Sequence, residues 1–375
     1  MKKKQIKLFT LVSVLLLTLS VLSAQETYKF EDVYNIKTTS VKNQQKAGTC
    51  WCFATTSFIE TELIRKGFDE IDLSEMYSVR YAYEQKALDY VRYHGKANFS
   101  QGGQAHDVMN EIVVHGMVPE DVYDGKKYGT DYHIHSEVEA ILAGIVETVV
   151  KNKNHELTPV WFDAYCAVLD VYFGKKVETF KYKNKEYTPQ SFVKSFNFDV
   201  NDYVEITSYT HHPFYEKVIL EIPDNWSNDS YYNIPLNELV EVMNNALENG
   251  YSIDWDGDVS DKGFSHKNGI AVVPADKDSE YKKQPTDEID VDTKYRQKQF
   301  DNYNSTDDHL MHITGMVKDQ NGTIYYKTKN SWDTDSNEMG GYLNMSENYI
   351  KKNTVAIMIH KDAIPKAIAK KLGIK

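Results

Sequence analysis

The sequence predicts an α+β protein in which a largely helical N-terminal half packs against a C-terminal half built on an antiparallel sheet. Three observations carry that expectation. Apolar residues recur at helical spacing from Cys50 onward and again from Leu236 to Leu247. From Leu310 to His360, short β-favouring runs alternate with turn residues instead. The chain has 375 residues, 41% of them apolar and 13% aromatic, which is enough to bury a sizeable core.

The start of the chain stands apart from the rest. Lys2, Lys3, Lys4 and Lys7 precede an apolar run from Leu8 to Leu22 that ends at the small residues Ser23 and Ala24. That pattern is a secretory signal over 1–24, and its core is shorter than the about 20 residues a membrane span needs. The remaining chain, 25–375, is expected to be exported to the periplasm or beyond, with no stable membrane anchor. It divides into a helical half at about 42–250 carrying a helical insertion, a sheet half at about 251–362 and a C-terminal tail at 363–375.

Charge narrows the function classes. Forty-three basic residues against 55 acidic ones give a net charge of −12, which excludes a nucleic-acid surface and disfavours anionic lipid. Three cysteines, Cys50, Cys52 and Cys166, cannot all pair with one another, so at least one is free or paired between chains. Cys52 and Cys166 are expected as packed thiols.

Along the chain, the polar loop 42–49 opens into the helical run Cys50, Trp51, Phe53, Phe58, Ile59, Leu63 and Ile64. A second helix is expected from Ser74, an N-cap residue with Glu75 behind it, to about Tyr93, where Gly95 breaks it. Helices follow over Asp107–Val118 and Glu137–Val150, and another begins after Pro235 and stops at Gly250. Strands are expected over Leu310–Val317, Thr323–Thr328, Gly341–Met345 and Thr354–His360, the first two joined by a turn containing Asn321-Gly322.

Two strings carry chemistry. In QQKAGTCWCFATTSFIE, Cys50 sits at a helix start, where the dipole favours a thiolate, and Gln44 lies six residues upstream to donate to a developing oxyanion. In DDHLMHITGMVKDQNGTIYYKTKNSWD, His309 opens one strand and Asn330 follows the next, so hairpin pairing brings an imidazole to an orienting amide with Trp332 as a shield. His312 competes with His309 as base, and being three apart on a strand the two point to opposite faces.

These strings, with the paired Gly102 and Gly103, resemble the papain superfamily. The stretches SQGGQAHDVMNEIVVHGMVPEDVY, ITSYTHHPFYEKV, WDGDVSDKGF and HLMHITGMV resemble its bleomycin hydrolase and aminopeptidase C branch, over nearly all of the chain after the leader. The resemblance implies a thiol peptidase acting on peptides, with Cys50 as nucleophile, His309 as base, Asn330 as orienter and Gln44, rather than Gln45, as oxyanion donor. It also selects His309 over His312. Gly102, Gly103, Trp51 and Trp332 would contact substrate, and Asp256 or Asp258 would lie near the cleft.

The resembled branch removes N-terminal residues, uses a C-terminal arm in the cleft and forms a homo-oligomer, a hexamer. This chain ends in the basic, helical-looking AIPKAIAKKLGIK, and truncation after His360 would convert exo to endo cleavage if that tail is the arm. An endopeptidase of the same fold and a non-catalytic peptide-binding or assembly protein are the alternatives.

No cofactor and no metal are expected. His106, His133, His135, His211 and His212 show no thiolate or carboxylate partner at ligand spacing, and the acidic run 287–292 lacks the regular spacing of a calcium loop.

Overall fold

The computed structural model describes residues 27–154 and 156–375, so the expected leader lies outside the described residues. The N-terminal part contributes β1 (Glu31–Asn35), α1 (Cys50–Arg65), α2 (Glu75–Arg92), α3 (Ala105–His115), α4 (Ser136–Val150) and α5 (Trp161–Tyr172). A small hairpin of β2 (Phe180–Tyr182) and β3 (Lys185–Tyr187) and the short α6 (Pro189–Ser195) follow.

Local sequence explains most of these boundaries. Ser74 accepts the Tyr77 amide at 3.1 Å and caps α2. At α3, Gln104 and Asp107 form a reciprocal capping box, which starts that helix two residues before the expected Asp107.

The sheet is where expectation and structure part. Strands β4 (Tyr203–Thr207), β5 (Lys217–Ile219) and β6 (Ser230–Asn233) precede α7 (Leu236–Glu248), so sheet structure begins well before residue 251. These strands are short, and edge pairing rather than intrinsic pattern defines them. After α7 come β7 (Ile253–Gly257), β8 (Phe264–Ser265), β9 (Ile270–Ala271) and α8 (Thr293–Asp301). The chain ends with β10 (His309–Lys318), β11 (Ile324–Lys329), β12 (Tyr342–Ser346), α9 (Glu347–Asn353), β13 (Thr354–His360) and α10 (Lys366–Leu372).

Eleven strands form one sheet in the order β5-β6-β4-β13-β7-β10-β11-β12-β9-β8, with β1 pairing β10 off that path. Its pairs are antiparallel except β4 with β6 and β9 with β12, so the sheet is mixed rather than purely antiparallel. The β10–β11 turn forms at Asp319–Gly322, where Asp319 Oδ1 accepts the amides of Asn321 and Thr323, both at 2.9 Å. Gly322, at φ 84°, supplies the left-handed residue that closes this turn.

The sheet separates two apolar cores. One lies under the helices and includes Trp51, Phe58, Tyr77, Leu142 and Phe173. The other lies behind the sheet and joins Trp255, Met311, Tyr326 and Ile357 to Leu239 and Met243 of α7 and Ile368 and Leu372 of α10.

Helix α1 lies on the front of β7 and β10. Thr55 donates to Asp254 Oδ2 at 2.6 Å and Ser57 meets His312 Nδ1 at 2.9 Å, so Asp254, Asp256 and His312 share the face that carries the start of α1. Among the described residues no helix is long and apolar enough to cross a membrane.

Candidate active site

Two chain segments far apart in sequence end at one cleft. Helix α1 starts on Cys50, and its first bonds run from the Cys52 and Phe53 amides to Thr49 O at 3.0 and 3.2 Å. The amide of Cys50 itself belongs to the unpartnered first turn, at the positive end of the helix. Facing it, β10 starts on His309, and the amide of Leu310 donates to the Cys50 sulfur. Cys50 is partly exposed and His309 is buried behind it.

Hydrogen bonding fixes the state of His309. Asn330 Oδ1 accepts both the Ser331 amide at 2.7 Å and His309 Nε2 at 2.8 Å. A backbone amide only donates, so that side-chain atom is oxygen and Nε2 carries the proton. His309 Nδ1 is therefore left as the lone-pair nitrogen.

The other end of Asn330 extends the chain of bonds. Its Nδ2 donates to His266 Nδ1 at 3.2 Å, and His266 Nε2 then donates to Ser336 Oγ at 2.7 Å. Trp332 covers both imidazoles, 4.9 Å from each, and keeps water off the His309–Asn330 bond. The sequence analysis did not single out His266. It lies in a three-residue turn after β8 with no motif of its own, and only folding places it behind Asn330.

Burial opposes charge on both reacting groups. It pushes the Cys50 thiol up to about 12, with the Leu310 amide working against this and Asp224, Asp307 and Asp256 adding to it. It pushes His309 down to about 4, opposed by the Asn330 bond and reinforced by His266. Burial thus disfavours separated charges here, while the positive end of α1 works the other way on a thiolate.

Gln44 lies in the same cleft. Its Oε1 accepts from Ser331 Oγ at 2.6 Å and one Nε2 hydrogen goes to Ala47 O at 2.8 Å, leaving the second hydrogen for a ligand oxygen. Gln45 turns away and accepts the His133 amide.

Gly102 lines the cleft, and there the side chain of Asp224 lies directly on it: a Cβ at Gly102 would sit 1.9 Å from Asp224 Oδ2. Gly103 and Trp51 do not line it. Gly103 packs against the Trp51 indole, which is buried and donates to Gln101 O at 2.9 Å. Those two residues support the Gly102 segment from behind.

Other sequence candidates are resolved by their partners. His312 faces α1 and Ser57, away from the His309–Asn330 pair. Asp256 lies near Cys50, whereas Asp258 accepts the Asp261 and Thr306 amides, both at 2.9 Å, and orders a loop. His133 and His135 are buried and held neutral by burial, with His135 against Phe173.

His211 and His212, expected to lack a carboxylate partner, meet Glu221 Oε2 at 3.2 and 2.9 Å. Among the described residues these three form the set of convergent donors that a metal ion would use. All three cysteines are free thiols. The C-terminal helix α10 packs on α7, with Asn245 donating to Ala363 O at 2.7 Å and Lys371 paired to Glu238 at 2.6 Å, so that segment lies away from the cleft.

Comparison with known proteins finds cysteine peptidases and aminopeptidases. The family described as "Peptidase C1-like family" matches residues 168–374, and "Papain family cysteine protease" matches residues 27–158. "Cysteine proteinase 1, mitochondrial" of Saccharomyces cerevisiae is 22% identical over 397 residues, covering 93% of this chain and 80% of the relative. "Aminopeptidase G" of Lactobacillus delbrueckii subsp. lactis is 24% identical over 375 residues, covering 88% and 83%. "Aminopeptidase C" of the same organism is 23% identical over 387 residues, covering 89% and 82%. The crystal structure of pepw from Lactobacillus rhamnosis superposes with a TM-score of 0.70 at 18% identity, over 92% of this chain and 84% of that one.

Proposed function

The chain belongs to the Peptidase C1-like family of cysteine peptidases, and on that premise we propose that it is a thiol aminopeptidase with Cys50, His309, Asn330 and Gln44 as its reacting set. The observation that carries the reading is the convergence of Cys50, at the positive end of α1, with a His309 whose proton is parked on the Asn330 side.

His309 Nδ1 takes the thiol proton as Cys50 Sγ bonds to the scissile carbonyl carbon. The oxyanion then forms beside the Cys50 amide and the remaining Gln44 hydrogen. Collapse breaks the C–N bond, and His309 returns the proton to the leaving amine. Water, deprotonated by the same nitrogen, then splits the thioester and restores the thiol. Relatives named as aminopeptidases support release of N-terminal residues over internal cutting.

The test is mass spectrometry of a short free-amino peptide and its N-acetylated copy, incubated with the reduced protein. Stepwise loss from the free peptide alone is the expected result. Internal cuts in both would replace the aminopeptidase reading with an endopeptidase one, and no cleavage across a diverse peptide set would support a binding protein.

We infer in addition that the enzyme is exported, on the basic-then-apolar pattern over 1–24. N-terminal sequencing of the protein recovered outside the cytoplasm should begin at Gln25, and an intact Met1 on a cytoplasmic protein would overturn this.

A further inference from the structure

The cleft is acidic and closed at one end by a loop. Two carboxylates, Asp224 and Asp308, line the opening that holds Cys50 and His309, and no lysine or arginine does. Asp224 belongs to the loop between β5 and β6. Asn98 Nδ2 donates to its Oδ1 at 3.0 Å and to Pro223 O at 2.9 Å, and Ser100 Oγ donates to Oδ1 at 3.3 Å. These bonds clamp the loop onto the segment before α3 that carries Gly102, and they leave Asp224 Oδ2 over the Gly102 backbone.

A second observation concerns the carboxyls behind it. Behind Asp224, Asp256 is buried at 3% exposure and neither of its carboxylate oxygens has a hydrogen-bond donor. Asp307, beside it, accepts from Gln104 Nε2 at 3.1 Å. Burial, and then the mutual repulsion of these groups, raises Asp256 and Asp307. The nearest cation, Lys86, is spent on backbone: its ammonium donates to Ser100 O at 2.9 Å and to Gly102 O. Of these three carboxyls, Asp224 is the one that lines the cleft.

We propose that Asp224, backed by Asp256 and Asp307, takes the free α-ammonium group of the substrate peptide. This inference rests on the thiol peptidase reading above and names its substrate anchor. An extended peptide following the Gly102 backbone runs into the Asp224 loop, so its chain must end there. The positive charge of that end meets the carboxylate that blocks it. The α10 segment, packed on α7, takes no part in this recognition.

The test compares Asp224→Asn with the unaltered protein on a free-amino dipeptide amide and on its N-acetylated copy. Asparagine keeps an oxygen for Asn98 and Ser100, so the loop stays clamped. The expected result is a KM for the free-amino substrate raised roughly 10–100-fold, the factor lost with one charge-assisted bond, with kcat little changed. The N-acetylated substrate should be cut no worse than before. Asp224→Glu should recover part of the loss.

Equal losses on both substrates, or no change on either, would overturn the anchor while leaving the peptidase standing. The same holds if a neutral N-terminus is accepted and the variant loses only peptides bearing an internal lysine or arginine, since the carboxylate would then read a side chain. Inactivity of the unaltered protein on every peptide would instead sink the peptidase reading itself.

Discussion

Cys50→Ala is expected to lower kcat by about 10⁵-fold or more, the scale on which removal of a covalent nucleophile acts when the rest of its site survives. The size of the effect follows from the division of labour in the cleft. In the proposed mechanism His309, Asn330 and Gln44 act on a bond that only the sulfur can form, so their contributions vanish together with it. Stability should change little, because Cys50 is partly exposed and its sulfur is met by one backbone amide. The thermal midpoint should stay within a few degrees while turnover disappears, and the variant should still bind peptide, which calorimetry would read directly.

Cys52→Ala is the matched control. That thiol is buried and donates to Glu75 O at 3.1 Å, so its loss should cost stability and spare kcat. Retained turnover in Cys50→Ala, or its loss in Cys52→Ala alone, would relocate the nucleophile.

Lys42→Met is expected to destabilise the fold by roughly 3–5 kcal/mol, the usual consequence of stranding buried carboxylates. The Lys42 ammonium lies 2.7 Å from Glu75, 3.3 Å from Glu60 and 2.6 Å from Asp72, and donates to Leu73 O at 3.0 Å. Burial works against its charge, yet Glu75, Glu60 and Asp72 together hold it well above the ordinary lysine range. Glu75 is already pushed up to about 7 by burial with Lys42 present.

Without that cation Glu75 rises further. A carboxyl raised in the folded state binds more protons there than in the unfolded chain, so stability is kept at acid pH and lost as pH climbs through the folded value. Denaturant unfolding should therefore show a larger Lys42→Met penalty at about pH 8 than at about pH 5. Adding Glu75→Gln should recover part of it. A penalty that is equal at both pH values would mean that packing of the lysine stem, not its charge, is what Lys42 contributes.

How much of this was legible in the sequence depended on where the information lay. Ser74, Pro235 with Gly250 and Asn321-Gly322 are local signals, and the α2, α7 and β10–β11 boundaries fall within a few residues of them. Strands β4 to β6 were not legible. They are three to five residues long, and what makes them strands is a partner supplied from the other end of the chain, as when β4 pairs β13.

The site divides the same way. Cys50, His309 and Asn330 sit at the starts and ends of strongly patterned elements, and it was the family resemblance that set His309 ahead of His312. Asp224 and His266 sit in loops whose composition is ordinary, and their positions follow only from the packing of one loop on another.

The bond between Ser331 Oγ and Gln44 Oε1 joins residues 287 apart in sequence, and β1 pairs with the far half of β10 across a similar span. Both walls of the cleft are thus closed by the last quarter of the chain to be synthesised. A nascent chain that has emerged as far as α7 carries its thiol but neither imidazole nor amide, so it cannot cut its neighbours. Closing such long loops is slow, and activity should lag behind helix formation during refolding. The order of assembly is itself a safety catch.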